Sequence, residues 1–130
     1  MKYLLDTSVW LWSVGSVDRI NKPGRELMAD GKQELYLSAA SVWEISIKTA
    51  LGKLRLPDAP ARYVPSRLRQ QGINSLPVVL NHALAVYELP MHHTDPFDRL
   101  LIAQAQLEDM VILTADSNFR KYKVGLFWSG

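Results

Sequence analysis

Hydrophobic residues along the chain fall into short continuous runs, separated by longer stretches with helical spacing. Runs of this kind, a few residues long and almost free of polar positions, are typical of parallel strands that are buried on both faces. The predicted strands lie at residues 3–5, 35–37, within 73–79, at 111–113 and, most weakly, near 124–128.

The intervening stretches predict helices. The predicted segments are a short helix from Ser8 and helices at about 23–29, from Ser38 or Ser41 to about 51, and at about 61–71, 81–87 and 97–107. Several carry end signals: Asn21 can cap the second helix and Gly31 stop it, while Gly52 and Gly72 each follow a predicted helix. Strands that alternate with helices predict an α/β fold with a parallel sheet covered on both faces.

Length and composition fit one soluble domain. The chain has 130 residues, of which 48% are hydrophobic and 22% charged, and it shows neither a low-complexity tract nor an internal repeat. The absence of cysteine excludes disulfides, thiolate catalysis and cysteine-ligated zinc, and it suits a reducing compartment. The first apolar run is too short for a signal peptide and no stretch could span a bilayer, so we expect a cytoplasmic protein without a membrane partner.

Positive charge is concentrated in one segment, although the formal net charge is only +2. Its single acid is Asp58, and its basic residues are Lys53, Arg55, Arg62, Arg67 and Arg69. Such a face can neutralise phosphates and attract RNA. It can equally be an ordinary solvated helix face.

Four carboxylates fall where a ligand site of a parallel sheet would form. Asp6 and Asp116 follow the first and fourth strands, and Glu44 and Asp98 lie in the first turns of two helices. Sites in such sheets form beyond the carboxyl ends of the strands. Clustered carboxylates need a counter-charge, and all-oxygen ligands favour Mg²⁺ or Mn²⁺. A hard cation beside a basic surface indicates hydrolysis of phosphodiester bonds.

Each of these acids also has a purely structural interpretation. Asp6 or Asp116 could cap a helix or turn, Glu44 could form a capping box with Ser41 or an ion pair with Lys48, and Asp98 could occupy the first turn behind a cap at Asp95. No single acid decides between the two interpretations. The metal-site hypothesis depends on all four lying on one predicted edge.

The histidines and tryptophans allow several roles. His92 and His93 are adjacent and lack a third ligand at zinc-like spacing, so zinc is disfavoured. His93 could contact RNA or order the loop near Asp98, and His82 fits an ordinary helix position. The tryptophans could stack on bases, but packing or a protein interface is the favoured use; they are Trp10, Trp12, Trp43 and Trp128.

Four segments of the chain together resemble a known family. They are Leu4-Leu5-Asp6-Thr7-Ser8; Ser41-Val42-Trp43-Glu44-Ile45 with Lys48 and Leu51-Gly52-Lys53-Leu54; residues 93–105, which contain Thr94-Asp95-Pro96-Phe97-Asp98-Arg99; and Leu113-Thr114-Ala115-Asp116. In order and spacing these segments are similar to the PIN domains of VapC-type toxins of toxin–antitoxin pairs. The third segment is the most specific, and the similarity covers nearly the whole chain.

The resemblance implies one PIN domain over residues 1–130, with a PIN-like three-layer α/β/α sandwich around a short, mainly parallel sheet. It implies a metal-dependent endoribonuclease that leaves 5′-phosphate and 3′-hydroxyl ends. By the match to the family's motifs, the catalytic residues are Asp6, Glu44, Asp98 and Asp116. The metal ligands would be Asp6, Asp98 and Asp116, which bind Mg²⁺ or, as a substitute, Mn²⁺. Substrate contacts would come from Thr7, Ser8, Thr114 and His93.

The resemblance also implies partners: an RNA substrate, a second copy of the chain in a homodimer, and a cognate antitoxin whose C-terminal segment covers the site. The apolar residues that could contact the antitoxin or form the core are Trp10, Trp12, Trp43, Ile47 and Leu51.

A non-catalytic RNA- or antitoxin-binding PIN module is the alternative function. A response-regulator domain needs an acidic pair near the first strand, where this chain has Thr7 and Ser8. Exposed RNA loops are favoured over duplex DNA as the substrate.

Overall fold

The computed structural model describes all 130 residues, and its centre is a five-stranded sheet. The strands are β1 (Lys2–Leu5), β2 (Glu34–Ser38), β3 (Asn74–Leu76), β4 (Val111–Thr114) and β5 (Leu126–Trp128). Their spatial order is β3-β2-β1-β4-β5, and every neighbouring pair is parallel. The prediction of a short parallel sheet is confirmed.

Six α-helices connect these strands. They are α1 (Thr7–Gly15), α2 (Lys22–Ala29), α3 (Ala39–Ala50), α4 (Pro60–Gln71), α5 (Leu80–Ala85) and α6 (Pro96–Glu108). Short 3-10 turns at Val17–Arg19, Val86–Glu88 and Ser117–Lys121 complete the connections. No helix is both long enough and apolar enough to cross a membrane.

Two hydrophobic cores lie on opposite faces of the sheet, because neighbouring residues of a strand point to opposite sides. On one face, Leu5 and Leu113 pack with side chains of α1, α3 and α4. On the other face, Leu4 and Ile112 pack with α6 and the turn at Ser117–Lys121. The molecule is therefore a three-layer α/β/α sandwich, as the resemblance implied.

The strand order reverses direction between β1 and β4. The chain first builds outward from β1 through β2 to β3, and then returns to place β4 on the other side of β1. In parallel sheets the crevice at such a reversal, beyond the carboxyl ends of the strands, is the usual place for a ligand. Asp6 and Asp116 follow the two strands that form this crevice.

Most helix boundaries follow the end signals in the sequence. The Asn21 side chain accepts a hydrogen bond from the Gly24 N–H at the start of α2. Gly72 ends α4 in the left-handed conformation that favours glycine. Of the two serines proposed to open α3, Ser38 is correct: its hydroxyl accepts from the Ala40 N–H. Ser41 lies inside the helix instead.

The structure refines the bounds of two predicted elements and adds one turn. Strand β3 spans Asn74–Leu76, inside the stretch 73–79 that was predicted to hold it, and is followed by Pro77, which has no N–H to donate. Helix α5 starts one residue early and gives way to the 3-10 turn Val86–Glu88. The turn Val17–Arg19 was not predicted, since a segment this short carries no periodicity.

Candidate active site

A polar cavity of about 180 Å³ lies at the carboxyl edge of the sheet. Side chains from five segments of the chain line it: Asp6, Thr7, Ser8, Leu11, Glu44, Ile45, Lys48, Leu54, Asp95, Asp98 and Asp116. The four carboxylates that were predicted from the sequence thus meet in one cavity. Two charged residues of the lining were not assigned to the site from the sequence, the acid Asp95 and the cation Lys48.

Asp6 occupies the end of β1 and is almost completely buried, with 4% of its surface exposed. One carboxylate oxygen accepts a hydrogen bond of 2.8 Å from the Thr114 hydroxyl. Burial, followed by the negative charge of Asp98, raises the pKa of Asp6 from 3.8 to about 7. Although Asp6 precedes α1, its side chain makes no capping hydrogen bond, so the helix-cap interpretation is wrong.

Asp98 lies in the first turn of α6, three residues after the cap residue Asp95. The Asp95 side chain caps the helix by accepting from the N–H groups of Phe97 and Asp98. Burial raises the pKa of Asp98 to about 6, and a hydrogen bond from His93 partly offsets this rise. The capping role favoured for Asp95 is confirmed.

His93 contacts Asp98 directly. Its Nε2 lies 2.9 Å from Oδ2 of Asp98. The loop that carries His93 is held in place by the buried Arg99, which donates to the backbone carbonyls of Pro90 and His93. Of the two roles considered for His93, ordering of the surroundings of Asp98 is the one that this geometry supports.

Thr114 links Asp6 to Asp116. Its hydroxyl donates to Asp6 and accepts from the Asp116 N–H at 3.0 Å. The Asp116 carboxylate accepts from the Asn118 N–H, which makes it the cap of the following 3-10 turn. Asp116 therefore fulfils the structural interpretation and still lines the cavity.

Glu44 reaches the cavity from α3 and is paired with Lys48. The Lys48 ammonium lies 2.8 Å from a carboxylate oxygen of buried Glu44, at the i,i+4 spacing read from the sequence. The hydrogen bond with Glu44, and the more distant charges of Asp95 and Asp98, raise the pKa of Lys48. The alternative capping box with Ser41 is wrong, because α3 begins at Ala39 and is capped by Ser38.

The predicted polar lining residues divide into two groups. The Thr7 hydroxyl donates to Ser41 Oγ at 2.8 Å and is buried, as is that of Thr114. Ser8, in contrast, is exposed at the cavity. Ser41 was assigned to helix capping and its support of Thr7 was missed, since a contact between residues 34 positions apart leaves no trace in local spacing.

The oxygen and nitrogen atoms that face the cavity are suitable ligands for a divalent metal ion. Ligand atoms of His93, Asp98 and Asp116 all lie within 4.8 Å of one another. Asp6, which was predicted as a ligand, is not part of this group but lines the same cavity, and His93, which was predicted as a substrate contact, takes its place in the group. Burial, and after it the charges of neighbouring carboxylates, raises the pKa of Asp6 and of Asp98, and a hard cation beside them would favour their ionised forms.

The remaining candidate residues lie in different settings. Trp10 is fully buried, whereas Trp43 and Ile47 are exposed on α3 and Leu51 is exposed at its C-cap. His82 is buried and bonded to Glu108, away from the cavity. Within the basic segment, Arg62 is neutralised by Asp58.

Comparisons with known proteins identify related sequences. The family model described as the PIN domain matches residues 3–125. Ribonuclease VapC16 of Mycobacterium tuberculosis is 41% identical over 68 residues, which cover 52% of this chain and 46% of that protein. The aligned part is thus less than half of the relative's length.

Solved structures with low sequence identity share the fold. The crystal structure of VapBC2 from Rickettsia felis, bound to a DNA fragment from their promoter, matches with a TM-score of 0.76 and 14% identity over the whole of both chains. DNA-bound VapBC from Salmonella typhimurium gives a TM-score of 0.70 at 16% identity, with 98% of this chain and 97% of that one covered. For FitAcB from Neisseria gonorrhoeae the values are 0.66 and 22%, with 96% of each chain covered.

Proposed function

Because the chain belongs to the PIN-domain family, we propose that it is a metal-dependent endoribonuclease and the toxin of a toxin–antitoxin pair. The observation that carries the proposal is the meeting of Asp6, Glu44, Asp98 and Asp116 in one cavity, although they come from distant parts of the chain. The ribonuclease activity named for the relative from Mycobacterium tuberculosis supports RNA as the substrate.

We assign the binding of Mg²⁺, or of Mn²⁺ as a substitute, to Asp6, Asp98 and Asp116. The chemistry of the donors fits, since buried carboxylates with raised pKa values gain most from a nearby cation. Such an ion, when bound, lowers the pKa of a coordinated water and stabilises the negative charge that develops on a phosphate under attack.

The surrounding side chains hold this set of carboxylates in place. Thr114 orients Asp6 and fixes the backbone of Asp116, and His93 bonds to Asp98. Thr7 and Thr114 donate their hydroxyls within the protein, so we expect them to position the site. The exposed Ser8 hydroxyl is the one we expect to contact RNA directly.

Partners follow from the same proposal. The related crystal structures are described as VapBC and toxin–antitoxin complexes, which supports a cognate antitoxin for this chain. The exposed apolar side chains of Trp43 and Ile47 on α3, and of Leu51 at its C-cap, are suited to a protein contact. A homodimer and a cytoplasmic location stay predictions of the sequence.

Cleavage of RNA by the purified protein is the direct test. We expect cutting with Mg²⁺ or Mn²⁺, none with EDTA, and products with 5′-phosphate and 3′-hydroxyl ends. The variant Asp98→Asn should lose activity by about a hundredfold or more, because it removes a charge from the metal-binding set. Asp109→Asn is the matched control: it makes the same change just beyond the other end of α6, outside the cavity.

Intact RNA with both metals, or equal cleavage by Asp98→Asn, would contradict the nuclease assignment. The non-catalytic RNA- or antitoxin-binding module would then be the better description.

A further inference from the structure

Lys48 is the only basic side chain that lines the acidic cavity. Its partner Glu44 has 9% of its side-chain surface exposed, whereas Lys48 has 51% exposed. The ammonium group therefore lies at the boundary between the buried carboxylates and solvent. An ammonium has three donors, and Glu44 is the only side chain that accepts from Lys48. Lys48 can thus bind a second anion while it stays paired with Glu44.

Two further cations lie in the connection that follows α3. Lys53 and Arg55 are exposed and flank Leu54 in sequence, and Leu54 lines the cavity. Neither takes part in an ion pair, in contrast to Arg62, whose charge is used by Asp58. Their charges are available to a ligand.

The backbone holds this segment close to Lys48. The N–H groups of Lys53 and Leu54 both donate to the Lys48 carbonyl, at 2.9 and 3.2 Å. The connection that follows α3 is therefore folded against the end of the helix. Phosphates bound by Lys53 and Arg55 would therefore lie near the end of α3 that carries Lys48.

We propose that Lys48 binds a phosphate of single-stranded RNA at the mouth of the cavity, and that Lys53 and Arg55 bind neighbouring phosphates. This inference rests on the RNA substrate proposed above. It makes Lys48 a substrate-binding residue, beyond its role as the partner of Glu44. The RNA backbone then enters the site from the α3–α4 connection.

Removal of the Lys48 charge should weaken the binding of RNA but should not weaken the binding of a metal ion. A phosphate contact contributes to RNA affinity and to its dependence on salt. The same positive charge repels a metal ion in the cavity, so its loss should strengthen metal binding or leave it unchanged. If Lys48 served only to hold Glu44 in place, its removal would weaken metal binding and leave the salt dependence of RNA binding intact.

The RNA experiment uses the full chain with Asp98→Asn, so that bound RNA stays uncut. The probe is a short fluorescein-labelled single-stranded RNA in EDTA, with affinity measured by anisotropy over a range of salt concentrations. We expect Lys48→Gln to lower the slope of log affinity against log salt by about 0.7, the value for one contact to a single strand. Lys48→Arg should restore the slope, and Lys32→Gln, which removes a lysine beside the opposite end of the sheet, should not change it.

The metal experiment uses the chain without Asp98→Asn. Calorimetric titration with Mn²⁺ should show that Lys48→Gln binds the ion as tightly as the unsubstituted chain or tighter by about threefold. An unchanged salt slope would overturn the proposal, and a fall in Mn²⁺ affinity together with an unchanged slope would assign Lys48 to the positioning of Glu44 alone. Neither experiment depends on cleavage, so the two proposals can fail separately. If the salt slope depends on Lys48 but the cleavage test described above shows no cutting, the nuclease function is refuted and the phosphate contact is retained.

Discussion

Neutralisation of Asp6 should stabilise the metal-free protein at neutral and alkaline pH. Below about pH 4 this carboxyl is protonated in both the folded and unfolded states, and it has no effect on stability. Between about pH 4 and 7 the folded protein keeps a proton that the unfolded chain has lost, because the folded pKa is about 7. The free energy of unfolding therefore falls as pH rises through this range, and the penalty is complete above about pH 7.

The size of the penalty follows from the two pKa values. A change from 3.8 to about 7 corresponds to about 4 kcal/mol at about pH 8. The variant Asp6→Asn removes the charge and keeps an oxygen that can accept from the Thr114 hydroxyl. In EDTA at about pH 8, we expect the free energy of unfolding of the variant to exceed that of the unsubstituted protein by an amount that approaches this value. At about pH 4 the two free energies should be nearly equal.

Urea unfolding with EDTA, at several pH values, measures this difference directly. The second half of the assay repeats the unfolding with added Mg²⁺. A ligand that binds only the folded state, present at a hundred times its dissociation constant, raises the free energy of unfolding by about 2.7 kcal/mol. The unsubstituted protein should gain stability, whereas Asp6→Asn should gain little. If Asp6→Asn is the less stable protein at about pH 8 in EDTA, or if the two pH profiles run parallel, the electrostatic account of Asp6 is refuted.

Two further predictions concern residues that position the site. Thr114→Val should weaken Mn²⁺ binding in calorimetric titrations, because Asp6 and the Asp116 N–H lose their shared partner; unchanged affinity would show that this hydroxyl is dispensable. Asp95→Ala should lower the free energy of unfolding by about 1 kcal/mol through loss of the α6 cap, whereas Asp95→Asn should retain most of the stability. Equal losses for both Asp95 variants in urea titrations would contradict the capping role.

Three of the four acids of the cavity, Asp6, Asp98 and Asp116, could be predicted because each lies beside an element boundary that is visible locally. The fourth, Glu44, lies in the second turn of α3. Asp6 ends an apolar run, and Asp98 follows an evident helix start with Asp95 and Pro96. The carboxyl ends of parallel strands share one edge, so these positions converge once the sheet is assumed to be parallel.

Contacts that depend on the tertiary arrangement could not be predicted in this way. The bond between His93 and Asp98 depends on a loop that Arg99 holds in place, and loop geometry has no periodic signal. Helical spacing likewise does not tell which apolar face is covered. Trp10 and Trp43 both lie in apolar helices, yet one is in the core and the other is exposed.

Adjacency of β1 and β4 has a consequence for the order in which the protein is made. Thr114 and Asp6, which are joined by a hydrogen bond, are 108 positions apart in the chain. During synthesis, at about 5–20 residues per second, the first strand leaves the ribosome long before the strand that completes the cavity beside it. A nascent chain thus carries Asp6 and Glu44 before Asp98 and Asp116 have been added, and the four carboxylates can meet only after β4 and Asp116 have emerged.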